Sequence, residues 1–211
     1  MADIKVNCFV VGMVQTNFYF LHREGSNETI VFDPADLGER LYEELVKLGL
    51  EVKAIFLTHA HFDHIMGLEA MKKLTGAPVY ACIHEKRVCE SAQINQSASF
   101  GRPCVVSPDF WLEDNEEVTV AGITMKTLHT PGHTEGSCAF YIEDGHILIS
   151  GDTLFEGSVG RSDFPTGDGE TLLNSIRTRL YTLPDDTVVF SGHGNSTTIA
   201  YEKKHNWFVR A

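Results

Sequence analysis

No apolar run in this chain approaches the roughly 18 consecutive residues needed to span a bilayer. The start, Met1-Ala2-Asp3-Ile4-Lys5, has neither the basic n-region nor the apolar h-region of a secretory signal. Cytoplasmic residence, with no membrane partner, is therefore the expectation. Positive charge is scarce too, since 17 Lys and Arg stand against 29 Asp and Glu, a formal net charge of −12. Such a surface does not track phosphate backbones, so nucleic acid is not an expected partner. Cysteine is sparse and unpatterned. Cys8, Cys82, Cys89, Cys104 and Cys138 are odd in number and form no C-x-x-C pair, unlike a disulfide framework or a cysteine zinc site. They are expected to be reduced, mostly buried thiols that pack as small apolar side chains. No short-period repeat or low-complexity linker divides the 211 residues, which suffice for a substantial core.

What is present is a regular succession of short elements. Residues 4–12 and 16–23, rich in β-branched and aromatic side chains, predict an antiparallel pair around a turn at Gly12-Met13. A third strand, 29–32, stops at Asp33-Pro34, because proline cannot continue a ladder. Leu37, Leu41, Leu45 and Leu48 recur at helical spacing and end at Gly49. Residues 52–57 predict a buried strand. Ile65, Leu68, Met71 and Leu74 mark a helix stopped at Gly76, followed by a strand over 77–82. Residues 83–114 carry no clear period beyond a helix around 85–90. Strands over 118–120, 123–128, 137–142 and 146–150 precede a Gly-rich loop, 156–169. A helix over 171–180, a strand over 187–190 and a closing helix over 198–208 complete the pattern. Two β-rich halves, each finished by helices, predict an α+β architecture of two sheets packed face to face, with helices outside.

The stretch Thr58-His59-Ala60-His61-Phe62-Asp63-His64 stands at the end of the strand over 52–57. It offers three imidazoles and a carboxylate, which are good ligands for a borderline divalent metal, at the strand end where open α/β sheets keep their chemistry. Alternate residues His59 and His61 project to one side of an extended segment, and Asp63 and His64 follow as the chain turns into a helix. The plainer alternative is a polar loop with Asp63 capping that helix. Three later segments weigh against it. Thr130-Pro131-Gly132-His133-Thr134, Ser150-Gly151-Asp152-Thr153 and Ser191-Gly192-His193-Gly194 each follow an apolar strand. Each places a glycine beside a metal-competent residue, where backbone passes close to something.

In this order, T-H-A-H-F-D-H, T-P-G-H-T, G-D-T-L-F and G-H-G resemble the metallo-β-lactamase superfamily. Gly151-Asp152-Thr153-Leu154-Phe155 followed by Gly160-Arg161 is similar to its glyoxalase II (hydroxyacylglutathione hydrolase) branch. The resemblance covers nearly the whole chain and implies a four-layer αββα sandwich with two mixed sheets. It assigns His59, His61 and His133 to one metal and Asp63, His64 and His193 to a second, with Asp152 as bridge. It makes Asp33 and Thr58 hydrogen-bond partners of ligand imidazoles, and Arg161 a candidate contact to the substrate. Only 18 residues follow His193, so the C-terminal helical substrate domain of typical glyoxalase II enzymes is not expected, as in compact bacterial members; residues 1–211 then form a single domain.

The implied cofactors are two divalent ions, zinc first, with iron and manganese compatible with the same nitrogen and oxygen donors. Two such ions sharing a water lower its pKa, so a hydroxide nucleophile exists near neutral pH. Asp63 and Asp152 are the candidate catalytic carboxylates, Asp152 as acceptor of the attacking water's proton. A thioester suits this apparatus, because its thiolate leaves with a conjugate-acid pKa near ~8.5 and needs little acid help. An amide would require a proton donor that the sequence does not identify. The expected partner is thus a small thioester of the S-lactoylglutathione kind. The alternative is an oxidoreductase. Gly160-Arg161-Ser162-Asp163-Phe164 also resembles persulfide dioxygenases of the superfamily, which would hold one iron through His59, His133 and Asp152.

Overall fold

A computed structural model describes residues 3–210. β1 (Ile4–Val11) and β2 (Thr16–Arg23) pair antiparallel, and β3 (Glu28–Phe32) adds antiparallel to β2. α1 (Gly38–Lys47) crosses over to β4 (Glu51–Leu57), which runs parallel to β3. α2 (Phe62–Ile65) and α3 (Leu68–Thr75) lead to β5 (Val79–Cys82), parallel to β4. A 3-10 turn (Ile83–Glu85) runs into α4 (Lys86–Cys89), and β6 (Phe110–Leu112) closes the first sheet parallel to β5. Its order is β1-β2-β3-β4-β5-β6.

The second sheet begins as an antiparallel meander of β7 (Glu117–Val120), β8 (Ile123–His129), β9 (Cys138–Ile142) and β10 (Ile147–Gly151). A small hairpin, β11 (Leu154–Phe155) and β12 (Ser158–Val159), interrupts it. α5 (Gly169–Ser175) continues into a π-helical turn (Ile176–Leu180). β13 (Val188–Ser191) then returns parallel to β10, β14 (Thr197–Thr198) lies on its outer edge, and α6 (Ile199–His205) follows. The order is β14-β13-β10-β9-β8-β7.

The alternation of strand residues decides how these sheets meet. Leu21, Ile30, Phe32 and Phe56 of the first sheet face Met125, Phe140 and Ile149 of the second. The rings of Phe32, Phe56 and Phe140 form a triangle with centroids 5.4 to 5.5 Å apart. Such aromatic contact adds to the area it removes from water. On the outer face of the first sheet, Leu41 and Leu45 of α1 pack with Leu68 and Met71 of α3. Leu172, Ile176, Leu180 and Ile199 cover the second sheet in the same way. The result is the four-layer αββα sandwich, the α+β fold implied by the motifs.

Several boundaries differ from expectation. The helix expected from Ile65 onward begins at Leu68, because Gly67 N–H donates to Pro34 O and Ala35 O at 2.8 and 3.2 Å and breaks the run. Asp63 does not cap α2; His61 holds that position, and Asp63 lies in the first turn, where a carboxylate suits the helix dipole. The unreadable segment 83–114 hides β6, and the Gly-rich loop over 156–169 hides β12, which pairs with β11 just before it. The closing helix stops at His205 rather than running to 208. Asn206 there adopts extended backbone, and its Oδ1 accepts N–H bonds from Phe208 and Val209.

Candidate metal centre

β4 ends at Leu57, and the next seven residues run along one edge of the sandwich. His59, His61 and His64 are buried there, at 1%, 3% and 0% exposure. The loop after β8 brings His133 to them, the end of β10 brings Asp152, and the turn after β13 brings His193. The site residues picked from the sequence therefore converge, although they come from four separate loops.

Three imidazoles form the first cradle. His133 Nε2 lies 2.8 Å from His61 Nδ1 and 3.2 Å from His59 Nε2. Hydrogen bonds on the far sides of two rings decide which nitrogens carry protons. His133 Nδ1 donates to the Arg161 carbonyl at 2.7 Å, so its Nε2 is bare. Thr58 Oγ1 spends its single proton on Asp33 Oδ2 at 2.7 Å, so it accepts from His59 Nδ1 at 3.1 Å. His59 Nε2 is bare in consequence. Burial and neighbouring imidazoles push His59 and His61 down from their ordinary values, His61 to about 3. Neutral rings with lone pairs turned toward one another suit a shared cation.

Asp63, His64 and His193 form the second cradle. His193 Nε2 is 3.2 Å from Asp63 Oδ2, and His64 Nε2 is 3.5 Å from the same oxygen. His64 Nδ1 donates to Asp33 Oδ2 at 3.0 Å, leaving its Nε2 to face the cradle. Burial opposes charge on His193, but its hydrogen bonds to Asp152 and Asp63 prevail and raise it to about 10. Asp152 spans the two groups. Its Oδ2 lies 3.5 Å from both His133 Nε2 and His193 Nε2, and its Oδ1 lies 3.4 Å from His64 Nε2. Burial pushes the Asp152 carboxyl up, yet His64, His193 and His133 together outweigh it and hold the group well below the usual range.

The donor set fits two divalent cations. Asp152 Oδ1 and His64 Nε2 are buried without a hydrogen bond of sound geometry, which a protein rarely tolerates unless something else satisfies them. Glycine makes the close approach feasible, since a Cβ at Gly192 would run into Asp152 Oδ1. Gly151, at φ 50, lets the backbone pass against Thr58.

Arg161 lies at the mouth beside the first cradle. Its guanidinium pairs with Asp163 at 2.8 Å and covers the Phe164 ring at 3.7 Å, and Phe164 in turn lies 5.4 Å from His61. Asp33 and Thr58 hold His64 and His59 as expected. Glu85, unremarked in the sequence, is buried beneath both loops. Its Oε1 accepts from Ala60 N–H at 2.8 Å, and its Oε2 accepts from Thr134 Oγ1 and Gly136 N–H at 2.8 and 3.0 Å. Burial pushes it up to about 8. Asn17 was equally silent, yet its Nδ2 donates to Ser191 O and Gly194 O on either side of His193. No local motif announces either residue, because their partners are distant in sequence.

Known proteins are similar to this chain in sequence and fold. The family model of the metallo-beta-lactamase superfamily matches residues 11–193. A probable metallo-hydrolase of Bacillus subtilis, YqgX, is 39% identical over 201 residues, 94% of each chain. The hydroxyacylglutathione hydrolase GloC of Haemophilus influenzae is 34% identical over 99% of each. Among solved structures, the BLEG-1 B3 metallo-beta-lactamase superposes with a TM-score of 0.93 at 38% identity, covering 98% of this chain and 100% of its own. TTHA1623 in a di-iron-bound form gives 0.86 at 35% identity, covering 97% and 100%.

Proposed function

We propose that this chain, which belongs to the metallo-β-lactamase superfamily and is a metallo-hydrolase, cleaves a thioester of the S-lactoylglutathione kind. The observation that carries the reading is Asp152, whose carboxylate faces both cradles while its Oδ1 makes no hydrogen bond of sound geometry. His59, His61 and His133 would hold one ion and Asp63, His64 and His193 the other. The chemistry such ions supply is a lowered pKa for water and polarisation of a carbonyl oxygen. Zinc is the proposed resident, and the di-iron form of a similar structure supports iron with the same donors.

The protein's own groups do the rest. Asp152 Oδ1 is placed to accept a proton from an attacking water, and Asp33 and Thr58 fix the ring orientations on which the geometry depends. Thr16 Oγ1 donates to Asp63 Oδ2 at 3.0 Å and steadies the second carboxylate. Phe164 packs edge-on against His61 and carries the Arg161 guanidinium on its ring. A thiolate leaves without general-acid help, which agrees with a site built of imidazole and carboxylate. The GloC relative, matched over 99% of both chains, supports the glyoxalase II-like branch. The likeness to a B3 metallo-beta-lactamase favours a second reading, cleavage of a β-lactam amide. A one-iron dioxygenase would leave Asp63, His64 and His193 without a task.

The test is a panel on metal-loaded protein. S-lactoylglutathione and short-chain acyl thioesters are offered beside a β-lactam, with oxygen uptake on glutathione persulfide followed in parallel. Thioester turnover well above the other two supports the reading. β-Lactam cleavage or oxygen uptake without thioesterase activity would overturn it.

A further inference from the structure

A hollow of about 190 Å³ opens directly beside Asp63 and Thr16. Phe62 and Met66, flanking Asp63 in sequence, line it together with Met13, Val14 and Phe100. Phe100 stacks on Phe62 with centroids 3.7 Å apart. Three of these side chains are open to solvent, Met13 at 83%, Val14 at 44% and Phe100 at 47%. Apolar groups gathered and exposed around a concavity mark a place that something apolar covers. Among the described residues the one cation on the rim, Arg102, is met by Asp36 at 3.2 Å, so the hollow offers no unpaired positive charge to a carrier's carboxylates. The opposite flank of the centre is different in kind. Arg161 and Asp163 stand there in solvent beside His133.

We propose that this hollow is the acyl subsite of the thioester reaction, built for a linear apolar acyl chain of roughly six heavy atoms. The assignment rests on the thioesterase reading and deepens it. A substrate laid across the two cradles puts its carbonyl over Asp63 and Asp152, its acyl chain against Phe62 and Phe100, and its polar thiol carrier toward Arg161. Charge disfavours the reverse orientation, because an anionic carrier would lose hydration against apolar side chains and lie beside the carboxylates of Asp63 and Asp36. Size agrees, since a water's share of volume is about 30 Å³ and the hollow holds about six such units.

The experiment compares S-acetyl-, S-lactoyl- and S-hexanoylglutathione on the metal-loaded protein, and binding of acetate against hexanoate by calorimetry. Each methylene buried in such a pocket is worth roughly fourfold in affinity. In the wild-type protein, kcat/KM for hexanoyl should exceed acetyl by at least about tenfold, and hexanoate should bind more tightly than acetate by a similar factor. Phe100→Glu and Met13→Glu, at positions 47% and 83% exposed, should collapse these ratios toward unity. Melting curves confirm that the variants are folded. Equal rates and equal binding in the wild-type protein, or ratios preserved in both variants, overturn the subsite. Absence of any thioester turnover overturns the thioesterase reading instead, and the calorimetric comparison still decides whether the hollow takes an apolar chain.

Discussion

The Nε2 atoms of His59 and His133 face each other across 3.2 Å, and each belongs to a ring whose proton is committed to Nδ1. The commitment of His59 runs through Thr58 to Asp33, so the bare nitrogen is prepared by residues outside the cradle. Thr58→Val removes the acceptor at His59 Nδ1 while keeping the side chain's shape. Metal affinity should fall by about 10–100-fold, the usual cost of losing such support. Competition with a chromophoric chelator measures it, and an unchanged affinity would contradict the tautomer argument.

Glu85 predicts a pH dependence of stability. Its carboxyl is raised from 4.5 to about 8 by burial, so between those values the folded chain keeps a proton that the unfolded chain releases. Stability from this group is complete below about 4.5 and is lost as pH rises through about 8. Glu85→Gln should flatten that slope in urea titrations from pH 5 to 8, even if it lowers stability at every pH. Equal slopes in the two proteins would contradict the burial argument.

Gly192→Ala should damage the second cradle rather than the fold. The new Cβ would press on Asp152 Oδ1 and crowd His64 Cε1, while the surrounding β13 core is untouched. Bound metal should decrease with the melting temperature of the metal-free protein within a few degrees of wild type. Full metal content in the variant would show that the close approach is not needed.

Phe56→Ala tests the packing between the sheets. Phe56 is fully buried, with Phe32, Tyr80 and Phe140 around its ring at 4.8 to 5.5 Å. Truncation of such a side chain costs about 3–5 kcal/mol. That is a large share of the ~5–15 kcal/mol that holds a typical domain together. Urea unfolding at saturating metal gives the value, and a loss below about 1 kcal/mol would contradict the role given to the aromatic triangle.

Much of this was readable from local pattern. The strands feeding the site are apolar runs, and the glycines beside Asp152 and His193 signalled close backbone approach that Gly151 and Gly192 make. The cradle residues were legible because three histidines and an aspartate crowd into Thr58–His64, which fixes attention on one sheet edge. What escaped was whatever depends on contact at a distance. Glu85 looks like any acidic residue on a short helix until its three donors, at positions 60, 134 and 136, fold around it. β6 has three residues and only Leu112 buried, too little for an alternation to register. The break at Gly67 depends on Pro34 and Gly38, thirty residues away, and no helical periodicity records it. The hollow beside Asp63 is assembled from the β1–β2 turn, α2 and the segment around Phe100, so it exists only in the folded chain.

The most direct test is to count metal in the intact protein. Native mass spectrometry after loading and desalting should find about two divalent ions per wild-type chain. Asp63→Ala, which removes one ligand of the second cradle and none of the first, should retain about one. A single ion in the wild-type chain, unchanged by Asp63→Ala, would contradict the paired cradles.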